Sequence, residues 1–206
     1  MKGAIISTII CALAFCVSPA QAYLITIEIE AEIDFVGDPY NLLGGNIQVG
    51  DTITGSYTYE STTPDSNPLP NGGDYWHYQS PCGVFLSVSG FEFRTDLENV
   101  EFLVEIINNY PPDDDYLLRS YNNLPLSNGT SVDHISWWLY DPTGNALSSY
   151  VLPTTPPVLD DWQENRLLIH GPLRGISFGI EAHVTSAIPE PATLLLFALG
   201  GLFLRN

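Results

Sequence analysis

The sequence predicts an all-β domain, an antiparallel β-sandwich of the jelly-roll or Greek-key kind, set between two apolar terminal segments. Two observations carry this. From Tyr23 to Phe35 the residues alternate without a break, with Tyr23, Ile25, Ile27, Ile29, Ala31, Ile33 and Phe35 on one side and Thr26, Glu28, Glu30, Glu32 and Asp34 on the other. Such a period of two is the mark of a strand with one buried and one wet face. Shorter alternating runs then recur as far as residue 187, bounded by turn formers, and no long amphipathic helix interrupts them.

Each run can be placed in order. Ile53, Gly55, Tyr57 and Tyr59 alternate with Thr and Ser; Val84, Leu86 and Val88 precede Phe91 and Phe93; Val100, Phe102, Val104 and Ile106 oppose Glu101 and Glu105. Further strands are expected over Val132 to Tyr140 and Ile176 to Val184. Turns are expected at Asn71-Gly72-Gly73, Pro111-Pro112, Asn128-Gly129 and Asp141-Pro142-Thr143-Gly144, the last a type I turn with proline at its second position. Eight to ten short strands of this kind point to a sandwich in which each sheet has one face on the core and one in water. No repeat of fixed period is visible, which argues against a propeller or solenoid.

With 206 residues the chain has room for one such domain plus short terminal pieces. Its formal charge is −18, and cleavage after Ala22 would remove the only lysine, Lys2, to leave −19. A surface of that sign repels phosphate backbones and anionic headgroups, so nucleic acid is not expected as a partner, while divalent cations, neutral sugars and basic polymers stay open. Cys11 and Cys16 lie in the apolar N-terminal stretch and only Cys82 remains for the domain. This excludes an internal disulfide framework and a multi-cysteine metal site, and Cys82, between Pro81 and Gly83, reads as a structural thiol.

At the N-terminus Lys2, the apolar stretch Ala4 to Val17 and the A-x-A pattern at Ala20, Gln21 and Ala22 describe a signal peptide cut before Tyr23. Acylation at Cys16 is disfavoured because Phe15 stands where a small residue is needed. At the C-terminus Pro189, Glu190 and Pro191 lead through Ala192 and Thr193 into the apolar run Leu194 to Leu204, followed by Arg205 and Asn206. A helix from Ala192 to Leu204 would be about 20 Å long, short for a bilayer core of about 30 Å. The expected division is residues 1–22 signal peptide, 23–187 sandwich, and 188–206 sorting and anchor segment with a short hydrophobic helix.

This Pro-Glu-Pro triplet, apolar run and basic end resemble the PEP-CTERM tail. The resemblance implies an exported protein of a Gram-negative cell envelope, surface or extracellular matrix, processed by an exosortase-type membrane peptidase in a bacterium that makes extracellular polysaccharide. It also implies a transient hold on the inner membrane through the C-terminal helix. The stretches Gly55 to Asn67 and Asp141 to Pro157 resemble a domain that recurs in other PEP-CTERM proteins, which implies a shared sandwich and no catalytic residues.

Within the domain, chemistry is sparsely signalled. His77, His134, His170 and His183 lack metal-binding spacing, and in a strand Asp133 faces away from His134 and Ser136, which excludes a local triad. The Glu28, Glu30 and Glu32 row reads as a solvated sheet face. Asp113, Asp114 and Asp115 follow two prolines and read as an acidic loop, with Asp113 and Asp115 the candidate calcium ligands; no other cofactor is expected. Tyr75 to Tyr78, Trp137 to Tyr140 and the loop residue Trp162 supply rings, of which Trp76, Trp138 and Trp162 are the candidates for stacking on sugars. The expectation is a noncatalytic surface or matrix protein, with a carbohydrate-binding module as the alternative and a secreted hydrolase third.

Overall fold

The computed structural model describes residues 23–110, 112–172 and 178–190. The signal peptide with Ala20 and Ala22, the residues from Pro191 onward, and Ile176 therefore lie outside the described residues. The described residues form ten strands: β1 (Leu24–Gly37), β2 (Thr52–Glu60), β3 (Gly72–His77), β4 (Gly83–Val88), β5 (Phe91–Arg94), β6 (Phe102–Tyr110), β7 (Asp113–Ser120), β8 (His134–Asp141), β9 (Glu164–His170) and β10 (Gly179–Pro189). The helical content of the described residues is one 3₁₀ turn at Leu159–Asp161.

All ten join one antiparallel sheet in the order β3-β6-β7-β8-β9-β10-β1-β2-β4-β5. The sheet curls so that its two halves, β3 to β9 and β10 to β5 in that order, face each other across a single core, which gives the expected sandwich. The Tyr57 hydroxyl of β2 meets the Tyr116 hydroxyl of β7 at 3.2 Å, and the Trp137 ring of β8 packs edge-on against both tyrosines. Period two explains the burial: Ile25, Ile27, Ile29, Ala31 and Ile33 are buried while Glu28, Glu30 and Glu32 are exposed. Cys82 is a buried free thiol, raised above its ordinary pKa by burial and by the nearby Glu60 carboxylate.

The structure departs from the sequence reading at four places. The alternation of β1 ends at a bulge between Ile33 and Phe35, which places Phe35 in solvent at 53 % exposure instead of in the core. Gly72 and Gly73 open β3 and do not form a turn; a Cβ on Gly73 would lie 2.6 Å from the Tyr75 hydroxyl, so close packing requires the glycine. Strand β9 carries an apolar pair, Leu167 and Ile169, too short to stand out.

The acidic run is the largest correction: Asp113, Asp114 and Asp115 begin strand β7 and are not a loop. Asp114 is fully buried and accepts the backbone N–H groups of Asn109 at 2.8 Å and Leu147 at 2.7 Å. Beside it in register, buried Asp141 accepts the N–H groups of Thr143, Asn145 and Ala146. A carboxylate saturated by backbone donors can be buried because the donors replace its water. The two aspartates thus tie down the turns that leave β6 and β8.

Candidate functional site

Outward-facing residues of β3, β6, β7, β8 and β9 form a grid, because register aligns every second residue across the strands. Trp76, Leu103, Arg119, Ser136 and Leu168 make one row; Asp74, Glu105, Leu117, Trp138 and Arg166 make the next. At the end of the grid Tyr121 follows β7 and His134 pairs with His170.

This face carries a chain of rings. Tyr78 stacks on Trp76 with centroids 6.0 Å apart, Trp76 on Tyr121 at 5.7 Å, Tyr121 meets His134 edge-on at 6.1 Å, and His134 lies 6.2 Å from His170. Tyr78 is 64 % exposed and is the open end of the chain. Arg119 sits over the Tyr121 ring at 5.8 Å and donates from a terminal guanidinium nitrogen to its hydroxyl. Burial, then the Arg119 charge and His170, lower the His134 pKa to about 4. Its imidazole is therefore neutral at ordinary pH, a hydrogen-bonding group without charge.

Beside the histidines lies an open groove of ≈ 790 Å³, whose lining brings Asn99, Asn122, Asn123, Asp96 and Asp133 together with Tyr121 and the two histidines. Amides, carboxylates and aromatic rings on one concave surface suit the hydroxyls and apolar faces of a sugar. A second hollow of ≈ 510 Å³ lies on the other half of the sheet, where Phe85 and Leu97 stand beside Arg94.

The sequence candidates separate accordingly. Trp76 and Trp138 lie on the outward face, but the Trp138 ring N–H is already given to Asp115 at 2.7 Å. Trp162 is only 9 % exposed and belongs to the core, because the segment after Asp161 turns inward before β9. Asp113 and Asp115 share a face with Asp114 turned away, and Asp115 is raised above the ordinary carboxylate range chiefly by burial. Among the described residues no group of three or more His, Cys, Asp or Glu side chains is arranged to hold a metal.

The histidines also part company. His77 is buried between Tyr59 and Phe102, with its pKa lowered by burial to about 4, so it is a core side chain. His183 pairs with Asp34 at 2.9 Å on the acidic half, with both groups about half exposed. Sequence reasoning sets His134 and His170 aside for lack of metal-binding spacing and passes over Tyr121 and Arg119. The signal was present: Tyr116, Leu118 and Ser120 alternate with Asp115, Leu117, Arg119 and Tyr121, but only once 113–121 is read as a strand.

At its last strand the domain runs into the tail: β10 extends through Pro189, opposite Ile27 of β1, and the Glu190 N–H donates to the Thr26 carbonyl at 3.0 Å. Residues 187–205 match the PEP-CTERM protein-sorting motif. No curated protein and no solved structure matches the chain. The sorting motif marks an exported protein of the Gram-negative cell envelope or surface and implies processing by exosortase, a membrane protein. No helix among the described residues is long and apolar enough to cross a membrane.

Proposed function

We propose that this is a noncatalytic protein of the cell surface or extracellular matrix, delivered there by its sorting motif. One observation carries the reading: the motif at 187–205 is continuous with the last strand of a sandwich, so the domain itself is the cargo. The aromatic row supports a specific second reading, in which the outward face of β3 to β9 binds neutral polysaccharide. Tyr78, Tyr121 and the neutral His134 would meet the sugar, and the charge of −18 disfavours an anionic chain.

A glycan array probed with the exported protein tests the second reading. Binding to a neutral sugar class that is lost in Tyr121→Ala with an unchanged circular dichroism spectrum is the expected result. Equal retention of sugar by Tyr121→Ala would remove it. The surface assignment is tested separately, by fractionating cells that express the protein with and without residues 188–206; delivery of both forms to one compartment would overturn it.

A further inference from the structure

The sorting motif is joined to the domain through the sheet itself. Ile188 lies opposite Glu28, Pro189 opposite Ile27, and Glu190 is bonded to Thr26. Because β1 and β10 are antiparallel, the chain leaves Glu190 travelling towards the Tyr23 end of β1. Tyr23 and Glu190 therefore lie at one end of the sandwich.

Successive backbone N–H groups point to opposite sides of a strand. The Glu190 N–H faces β1, so the position of Pro189 faces away, and the proline there removes no bond to β1. On that far side β9 accompanies β10 only from Gly179 to Ala182, and the Asn165 side chain then takes the N–H and carbonyl of Val184 at 3.2 and 2.8 Å. Beyond the register shift at Thr185, β1 is the one strand among the described residues that pairs with β10; the 3₁₀ turn Leu159–Asp161 also lies against β10, and Pro189 presents no N–H on that far side. The shift also changes which residues face inward: Ile180, Ala182 and Val184 are buried before it, whereas after it Ala187 is partly buried against the core and Ile188 faces outward at 50 % exposure.

Reach sharpens the consequence. Only Pro191, Ala192 and Thr193 separate Glu190 from the apolar run that starts at Leu194. Three residues span at most about 10 Å, so a sandwich paired up to Glu190 stands at the lipid surface, while freeing Thr185 to Glu190 adds about 20 Å. A membrane peptidase that takes Pro189, Glu190 and Pro191 as an extended segment also competes with Thr26 for the Glu190 backbone.

We propose that β1, through Thr26, Ile27 and Glu28, is the positioning element of the sorting motif: it withholds the motif in the sheet, and Thr185–Glu190 must leave β1 before the peptidase processes the tail. The inference rests on the sorting reading of residues 187–205. It predicts that folding of the domain sets the rate at which its tail is processed.

The test is a lock across the pair Glu28 and Ile188, both on the outer side of the sheet. The variant Glu28→Cys/Ile188→Cys sets its Cα atoms about 5.5 Å apart, within reach of a disulfide. The full chain is expressed in an exosortase-bearing host, and processing is followed by intact mass in isolated membranes before and after dithiothreitol. The expected result is loss of processing in the crosslinked form and its recovery on reduction, with the reduced double variant as the reference. A crosslinked form processed as fast as the reduced one overturns the proposal and leaves the sorting motif standing. Failure of the wild-type chain to be processed at all overturns the sorting reading beneath it. Independently of any crosslink, a Gly-Ser linker inserted between Ser186 and Ala187 keeps residues 187–205 intact and should speed processing; unchanged or slower processing would count against the role of β1.

Discussion

The two outward faces of the sheet obey the same alternation and carry opposite chemistry. On β1, β2 and β10 the outward residues are Glu28, Glu30, Glu32, Glu181 and a series of threonines and serines, all reaching water. On β3 to β9 they are Trp76, Trp138, Tyr140, Arg119, His134 and His170, half-buried against one another. A period of two therefore says which residues avoid the core, and no more. Whether the wet side is merely hydrated or built for contact depends on what register places alongside each side chain.

The adjacent tryptophans of β8 give the sharpest test of that difference. Trp137 is 1 % exposed and packs on Tyr57 and Tyr116, while Trp138 lies on the outward face. Trp137→Ala should cost about 3–5 kcal/mol, the usual range for deleting a core ring. Trp138→Ala should cost about 1–2 kcal/mol, for partial burial and the bond to Asp115. Urea denaturation of the protein lacking residues 1–22 measures both, and equal losses would erase the distinction between the faces.

A smaller effect belongs to the buried histidine His77, and His134, also lowered to about 4, acts in the same sense. The unfolded chain protonates His77 near 6.5 and the folded chain near 4, so the unfolded state binds more protons between those values. Stability from His77 is complete above pH 6.5, falls as the pH drops, and levels below 4. The loss between pH 7 and 5 should be about 2 kcal/mol. Glu105, raised chiefly by burial and then by Asp74, works in the opposite sense, since the folded state holds its proton more firmly. Phenylalanine at this site, His77→Phe, should flatten the acid limb of a plot of denaturation midpoint against pH; an unchanged slope would show that burial does not hold His77 neutral.

The smallest effect belongs to the acidic face. Glu30→Gln removes one charge from an exposed row with neighbouring glutamates and should shift stability by no more than about 0.5 kcal/mol. A larger loss in thermal unfolding would mean that the row is structural and not simply solvated.

Legibility followed the same division. β1 from Ile25 to Asp34 and β2 could be read directly because there each buried residue is apolar and each exposed one polar. Strand β7 could not, since Asp114 occupies a core position and is satisfied only by the N–H groups of Asn109 and Leu147, the latter 33 residues away. Trp162 and Trp76 had equal standing as candidates by residue type alone, yet one ring lies in the core and the other joins an outward row.

Alone, the sequence determined the strand class, the sorting motif and the acidic surface, because alternation, a terminal motif and net charge are properties of neighbours along the chain. Only the tertiary structure decided that Trp76 stacks on Tyr121, that Asp114 is buried, and that Pro189 and Glu190 are paired with β1. Each of those depends on contacts between residues distant in sequence, set by strand order and register, which a local pattern does not encode.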